Sequence, residues 1–494
     1  MNVHPPQPGA APLQADDSAI ALVVDLDGTL SRTDTLHEAL LGQISSAPWR
    51  LLSLPAVAAK GKAAVKAELA DRGIVPADAL PLNETVLAAL REARAAGRRT
   101  ALVSASDHRQ VAAVAEAVGL FDEVHGSDGS HNLKGPAKTA FLTERFGPQG
   151  FDYIGDAKAD LPVWKAARRA ITVGAGAGLR QAAQAANPDT VHLDPPAGRG
   201  RAMLKAMRPH QWSKNALLFL PLLAAHDATK IVPVLLGFLA FCLTASAVYV
   251  INDLLDLAAD RAHPRKRTRP FAAGDLSAVT GVAMSAVLLT AALILGLATG
   301  NPMFLAVLAV YLVATFTYSL TLKRKLLVDV LTLAGLYTIR IIAGGAAGGI
   351  DLSPWMLGFS MFLFLSLAAV KRQAELTDQA VSGRASAGRA YEVEDLPVLR
   401  GIALSAGQAA VLVLALYISS DDVRALYVFP SLIWLICPLL LYWILRMVMK
   451  THRGEMTDDP IVFAATDRVS LAIVGFCLLI GVAATLWPWA VPVI

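Results

Sequence analysis

Cysteine is nearly absent from this chain. Cys242, Cys437 and Cys477 are the only three in 494 residues, and each sits inside an apolar run. A disulfide framework and a thiolate metal site are thereby excluded, and a soluble part facing a reducing compartment is expected. Charge is scarce as well, at 17% of residues, with a net formal charge of only +4, and no nucleic-acid partner is expected. The first nineteen residues, MNVHPPQPGAAPLQADDSA, have neither a basic stretch nor an apolar core, so residues 1–19 read as a disordered leader without a signal peptide.

What the chain has in quantity is hydrophobicity, 55% of residues with a mean hydropathy of +0.49. It is distributed unevenly, which excludes a wholly soluble, fibrous or disordered protein. Residues 20–193 alternate short β-rich runs (IALVVDLD, RTALVSAS, DYIGD, AITVG) with helical stretches around His108–Val118, Pro136–Phe146 and Leu161–Ala167. Such alternation predicts a parallel sheet with helices on both faces, an α/β Rossmann-like domain. A helical stretch from Leu36 to about Leu80 interrupts the pattern after the first strand and could form a cap over the active face. Residues 194–204, beginning DPPAGRG, read as a linker.

From there to the end, residues 205–494 read as an all-α transmembrane domain of nine helices, at about 213–226, 230–251, 278–299, 302–321, 327–348, 354–370, 400–419, 426–446 and 468–489. Of 25 basic residues from Arg199 onward, 22 fall before the first span or in alternate loops; Lys230, Arg340 and Arg424 are the exceptions. The asymmetry predicts a cytoplasmic N-terminal domain, the tail WPWAVPVI outside, and residence in a bacterial-type inner membrane. Outer loops are short and inner loops are rich in ionisable residues, so the chemistry is expected at the cytoplasmic mouth.

Two clusters carry that chemistry. The first strand ends in DLDGTL, which puts Asp25 and Asp27 at the carboxyl edge of the sheet, where open α/β folds bind ligands. Two carboxylates facing one cavity repel unless a cation or proton intervenes, and Mg²⁺ with a phosphate is a natural solution. Ser104 ends the next strand, Lys138 lies in KGPAKTAFL, and Asp156 and Asp160 form GDAKAD. Together these elements resemble the four motifs of the haloacid-dehalogenase-like phosphatases over about 170 residues. The resemblance implies that Asp25 is the nucleophile and Asp27 the general acid/base. It implies further that Ser104 and Lys138 hold the phosphoryl oxygens, and that Asp25, the Asp27 carbonyl and Asp156 hold Mg²⁺ with Asp160 in support. Lys134 competes with Lys138 for its role.

The second cluster is VINDLLDLAADRAHPRKRTRP. Asn252, Asp256 and Asp260 recur at helical spacing along one face with Asp253 on its flank, and Arg261, His263, Arg265, Lys266, Arg267 and Arg269 follow. Acids at the end of an apolar helix are costly unless they bind cations or line a wet cavity, and the cations beside them suit an anionic ligand. The pattern NDxxDxxxD is similar to the first signature of the UbiA-type membrane prenyltransferase superfamily. The segments at Arg208–Asn215 (RPHQWSKN) and Tyr318–Gly345 are similar to the branch that contains decaprenyl-phosphate phosphoribosyltransferase. In ordinary members the second signature is another Asp-rich loop, whereas this chain has KRQAELTD, with Lys371, Arg372, Glu375 and Asp378. Two cations there suit the extra phosphate of a phosphorylated sugar. Arg340, inside the fifth span, is either a partner for a lipid phosphate or an internally paired or snorkelling arginine; Lys323 lies just before that span. The last inner loop holds Asp458, Asp459 and Asp467 without a role legible from the residues, and Tyr249, Tyr318 and Tyr337 either line the cavity or pack in the core.

The resemblance thus implies Mg²⁺-dependent transfer of a 5-phosphoribosyl group from phosphoribosyl diphosphate to a polyprenyl phosphate, with the first domain removing the 5-phosphate. Transfer of a prenyl chain to an aromatic or other acceptor is the alternative, and a phosphatase on a non-catalytic membrane anchor is the third reading. A homo-oligomer is left open.

Overall fold

A computed structural model describes residues 19–59, 61–128, 132–194, 198–382, 390–420, 427–456 and 459–486. The expected leader (but for Ala19), Arg424, Asp458 and the WPWAVPVI tail lie outside the described residues. The chain divides into two compact units: the residues up to Met207 together with Tyr249–Met284, and Arg208–Val248 together with the residues from Ser285 onward.

The first unit holds six parallel strands: β1 (Ala21–Val24), β2 (Thr100–Asp107), β3 (Glu123–Ser127), β4 (Phe151–Gly155), β5 (Arg169–Val173) and β6 (Thr190–Leu193). Their order across the sheet is β3-β2-β1-β4-β5-β6. All four residues of β1 are buried, because the sheet is covered on both faces. Leu22 and Val24 pack into one core with Leu102, Ile154 and Ile171, while Ala21 and Val23 pack into the other with Ala101, Val103 and Phe151. The sequence patterning marks β1, β2, β4 and β5 but not β3 and β6. Those two are the edges, only partly buried, so neither needs a continuous apolar run.

Between β1 and β2 the chain makes helices Thr35–Ser46, Leu54–Ala58 and Lys62–Arg72, in the stretch expected as a cap. The expected linker is helical from Arg199 to Met207. The segment Tyr249–Met284 completes the unit with the end of helix Ile231–Leu255, a short helix Leu257–Ala262, a 3₁₀ turn Lys266–Thr268 and the start of helix Ala278–Ala298.

Among the described residues, eight helices are long and apolar enough to cross a membrane, running from Ala228–Leu255 to Arg468–Leu486. The expected ninth, at 213–226, is instead a 3₁₀ run Pro209–Phe219 followed by the short helix Leu220–Ala225. Pro209 and Pro221 each lack an amide donor, and Lys214 and Asn215 are buried polar groups in the middle of the segment. The segment lies directly on helix Val328–Gly348: a Cβ at Gly344 would come within 2.0 Å of the Leu218 carbonyl oxygen. Large apolar side chains such as Leu297, Val313 and Leu479 are exposed on the helices, as lipid contact requires.

Asp152, at the base of β4, is fully buried between Arg98 (2.6 Å) and Arg168 (2.7 Å), and the Arg98 side chain is equally inaccessible. Asp152→Ala should therefore destabilise the sheet by about 3–5 kcal/mol, because it strands a buried guanidinium. Urea unfolding of the full chain measures this, and a change under ~1 kcal/mol would show that water reaches Arg98.

Candidate active sites

β1 lies between β2 and β4, where the strand order reverses, and a crevice for ligands opens at the carboxyl ends of these strands. Asp25 sits there as the first residue after β1. Its Oδ1 accepts from the Leu26 amide at 2.8 Å, and its Oδ2 accepts from Lys138 Nζ at 2.8 Å and from the Tyr153 hydroxyl at 3.3 Å. Lys138 is buried on helix Pro136–Phe146 and also reaches the Tyr153 hydroxyl, whereas Lys134 is exposed. Asp27 Oδ1 accepts from both the amide and the hydroxyl of Thr35, each at 2.8 Å, and its Oδ2 from the Ser106 hydroxyl. Asp160 Oδ1 accepts from Tyr153, Asp160 Oδ2 from the Ala157 amide, and Asp156 Oδ1 from Thr29 at 3.3 Å.

Several of these partners were invisible at the level of motifs. Ser106 rather than Ser104 touches Asp27; Ser104 is buried, with its hydroxyl accepting from the Ser106 amide. Thr35 and Tyr153 carry no motif signature, and Thr29 lies inside DLDGTL without a role legible there. Lys66, from the inserted helices, donates to the Ala105 carbonyl at the end of β2 at 2.5 Å, which brings a cap residue to the catalytic face.

The cluster holds more negative charge than its surroundings offset. Burial, then the charges of Asp160 and Asp25, push Asp156 up to about 8. Burial and the neighbouring Asp34 push Asp27 up to about 6, against the hydrogen bonds from Ser106 and Thr35. Burial and Asp25 push Asp160 up to about 6, with Lys138 opposing. Hard carboxylate oxygens in excess suit Mg²⁺. The backbone is shaped for it as well: Gly28 has φ +77°, and a Cβ there would fall 2.2 Å from Asp156 Oδ2. Among the described residues no three His, Cys, Asp or Glu side chains are placed to hold a metal ion by themselves. The fit is thus to an ion held by two carboxylates, a backbone carbonyl and waters, which Mg²⁺ tolerates well.

The acidic motif of the membrane sequence belongs to the same unit. Helix Ile231–Leu255 ends before Asp256, which precedes the short helix Leu257–Ala262 with φ −101° and ψ 15°. Helical hydrogen bonds nevertheless run on across it, from the Asp256 amide to the Asn252 carbonyl at 2.9 Å and from the Asp260 amide to the Asp256 carbonyl at 2.8 Å. Asp253 and Asp260 are the buried pair, and one Arg269 amino group donates to both, at 3.2 and 2.6 Å; Asn252 and Asp256 are half-buried. A cationic group already stands between these carboxylates, where a metal with an anionic ligand would be held. His263, Lys266 and Arg267 face solvent. Arg261, expected with them, is instead turned into a bidentate ion pair with Glu38.

In the second unit, the KRQAE pair divides. Successive helical residues point about 100° apart, and Lys371 and Arg372 meet different carboxylates. Arg372 is fully buried against Asp329 (2.7 Å) and Glu375, and Asp329 also accepts from the Tyr318 hydroxyl at 2.8 Å. Lys371 faces Asp459 at 3.4 Å, and Lys214 contacts the same carboxylate oxygen. Burial raises the Asp459 pKa, but the two ammonium groups outweigh it and hold the carboxyl at about 2. Arg340 is internally paired: it donates to Asn215 (2.9 Å), to the Leu336 carbonyl and to the Tyr311 hydroxyl, and lies over the rings of Phe241, Tyr311 and Tyr337. Lys323 is half-buried in the turn Leu322–Arg324.

A polytopic membrane protein with a phosphatase-type α/β domain at its front is the class that the fold and these sites define. Residues 216–466 match the UbiA prenyltransferase family, and residues 22–165 match the haloacid dehalogenase-like hydrolases. The chain is 39% identical over 466 residues to protein y4nM of Sinorhizobium fredii, covering 93% of this chain and 90% of that protein. It is 40% identical over 281 residues to nodulation protein NoeC of Azorhizobium caulinodans, covering 56% of this chain and 90% of that one. Decaprenyl-phosphate phosphoribosyltransferase of Corynebacterium glutamicum is 38% identical over 194 residues, 38% of this chain and 58% of that enzyme. The chain belongs to the UbiA prenyltransferase family, as an integral membrane protein with a haloacid dehalogenase-like domain at its N-terminal side. Both families generally use Mg²⁺.

The raised carboxyls set a pH dependence. The folded domain holds protons that the unfolded chain releases above the ordinary Asp value of 3.8, so metal-free stability falls as pH rises toward about 8, the folded value of Asp156. Mg²⁺ competes with those protons. Its stabilising effect should accordingly grow between about pH 5.5 and 8.5, which thermal unfolding of the Asp253→Asn chain with and without Mg²⁺ would measure at the α/β domain alone. An equal Mg²⁺ effect at both pH values would remove Asp156 from the metal site.

Proposed function

We propose that the membrane domain transfers a 5-phosphoribosyl group from phosphoribosyl diphosphate to a polyprenyl phosphate, and that the α/β domain then removes the 5-phosphate of the lipid-linked product. The observation that carries this reading is the Lys214–Asp459–Lys371 arrangement, two ammonium groups sharing one carboxylate. Two ammonium groups on one carboxylate leave one positive charge in excess, which suits a substrate phosphate. The likeness to the Corynebacterium glutamicum enzyme supports the same assignment.

In the transferase, Asn252, Asp253, Asp256 and Asp260 would hold Mg²⁺, whose charge favours departure of the diphosphate. Lys214 and Lys371 bind a substrate phosphate, and His263, Lys266, Arg267 and Arg269 add positive charge for the anionic ligand. A lipid phosphate oxygen attacks the anomeric carbon as the bond to diphosphate breaks. A phosphate monoester is already ionised at neutral pH, so no general base is required. In the α/β domain, Asp25 attacks the phosphorus of the 5-phosphate while Lys138 and Ser104 hold its oxygens. Asp27 gives its proton to the departing sugar oxygen, then takes one from the water that cleaves the aspartyl-phosphate. Its elevated pKa of about 6 suits a group that must carry a proton near neutrality. Asp25, Asp156 and the Asp27 carbonyl would hold the metal, with Asp160 in support.

The topology fits the same scheme. A 3₁₀ helix rises ~2.0 Å per residue, so Pro209–Phe219 with Leu220–Ala225 extends for about 31 Å, enough to cross as an irregular ninth element. The charge asymmetry of the loops supports a cytoplasmic α/β domain and an outside C-terminus, and a bacterial-type inner membrane is part of the same reading.

Membranes given labelled phosphoribosyl diphosphate and polyprenyl phosphate should yield a labelled polyprenyl-phosphoryl ribose. Product from prenyl diphosphate and an aromatic acid would establish prenyl transfer instead. Asp253→Asn should abolish formation of labelled lipid, whereas Asp25→Asn should accumulate the 5-phosphorylated lipid. If the Asp25→Asn variant and the parent release the same phosphorylated product, the α/β domain acts on another substrate. Lys214→Ala removes a charge-assisted contact worth about 1.5–3 kcal/mol, so KM for phosphoribosyl diphosphate should rise roughly ten- to a hundredfold. An unchanged KM would detach Lys214 from the donor.

A further inference from the structure

The loop that follows the acidic motif is packed into the catalytic turn of the α/β domain. Arg261 donates to both carboxylate oxygens of Glu38, each at 2.6 Å, to the Ala79 carbonyl at 3.0 Å and to the Ala272 carbonyl at 2.9 Å. The two side chains are only 8% and 6% exposed, so the pair is shielded from competing water and salt. Glu38 lies one turn into helix Thr35–Ser46. The first residue of that helix, Thr35, holds the Asp27 carboxylate through its amide and hydroxyl, and Asp34 caps it through the amides of Leu36 and His37.

A second contact reaches the same turn. Gly274, at φ +75°, lies so close to Arg32 that a Cβ would fall 2.6 Å from the Arg32 Cβ, and Arg32 pairs with Asp275 at 3.8 Å. Arg32 stands between Asp27 and Asp34 in sequence, inside the turn that carries the general acid. At the other end of the loop, Arg261 directly follows Asp260, which Arg269 joins to Asp253. One short stretch, residues 260–275, therefore connects the diphosphate motif to the group that protonates the phosphatase's leaving oxygen.

We infer that the ligand state of the acidic motif sets the competence of Asp27, so that occupancy of the transferase motif and turnover in the phosphatase are coupled. A ligand that displaces Arg269 from Asp253 and Asp260 moves the loop in which Arg261 and Gly274 sit. Arg261 cannot leave Glu38 behind without stranding two buried charges, so helix Thr35–Ser46 and Thr35 move with it. Arg261 is here a positioning residue that acts through Glu38 and Thr35, and it contacts no substrate. The coupling rests on the two activities proposed above and adds that they communicate.

The test uses the full-length protein, p-nitrophenyl phosphate as phosphatase substrate, and Mg²⁺ with methylenediphosphonate as the ligand of the acidic motif, its binding followed by calorimetry. Saturation should change kcat or KM for p-nitrophenyl phosphate by about fivefold or more, and the change should disappear in Arg261→Gln and Glu38→Gln. Bound analogue with unchanged phosphatase kinetics would overturn the coupling while leaving both activities standing. So would an Arg261→Gln variant that responds like the parent. An effect that persists in Asp253→Asn would place the analogue in the phosphatase site itself and would overturn the coupling as well. Absence of hydrolysis or of binding in the parent would instead strike the underlying assignments and the coupling with them. Should the Gln variants fail to fold, the analogue's effect on the parent and on Asp253→Asn still decides.

Discussion

A charge removed from water must be matched where it lies, and the way this chain matches its buried charges sorts its sites. Some buried charges meet one another in direct ion pairs: Arg98 and Arg168 on Asp152, Arg372 on Asp329 and Glu375, Arg261 on Glu38. At the proposed sites a ligand's charge enters the balance as well. In the cluster of Asp25, Asp27, Asp156 and Asp160, burial and then the neighbouring carboxylates raise Asp156. Around Asp459, two ammonium groups hold one carboxyl low against its burial. A divalent cation and a phosphate are the respective complements.

Backbone geometry makes such imbalance tolerable. The sheet brings Asp25, Ser104 and Asp156 together because β1 has β2 on one side and β4 on the other, so three strand ends converge at a single crevice. Glycine at position 28 leaves the space beside Asp156 open. Tyr153 then ties the cluster into one network, since its hydroxyl meets Lys138, Asp25 and Asp160. Because these carboxylates are close neighbours, removing one would change the protonation of the others.

How much of this could be read from the sequence depended on the range of the interaction. Asp25, Lys138 and Asp160 were legible because each sits at the end of a strand or the start of a helix with a strong local signal, and the sheet brings such ends together. The acidic motif was legible as composition, but which of its members pair was not: Asp253, expected on the flank, and Asp260 share the Arg269 guanidinium. Arg261 looked like one more cation beside HPRKRTRP, and nothing local announces a partner 223 residues away. Arg340 shows the same limit in the membrane, where Asn215, 125 residues earlier, decides that its guanidinium is internally held. Lys214 and Asp459 went unread because neither belongs to a repeat. They meet where Lys214 of the segment Pro209–Phe219 reaches Asp459, the N-cap of helix Pro460–Thr466, 245 residues later.

The double attachment of the α/β domain bears on how it would receive a lipid-linked substrate. A module on a short flexible linker samples its target at an effective concentration of ~mM, and an expected linker at 194–204 invites that description. Within the described residues the stretch is helical from Arg199, Lys205 donates to the Thr268 carbonyl at 2.8 Å, and Arg261 is anchored on Glu38. Within its own unit the domain is tied to residues 260–275 through Lys205, Arg261 and Arg32. On the proposed reading the substrate's reacting phosphate is mobile on a long anchored chain, and a phosphorylated ribose at the head of a polyprenyl phosphate has that freedom.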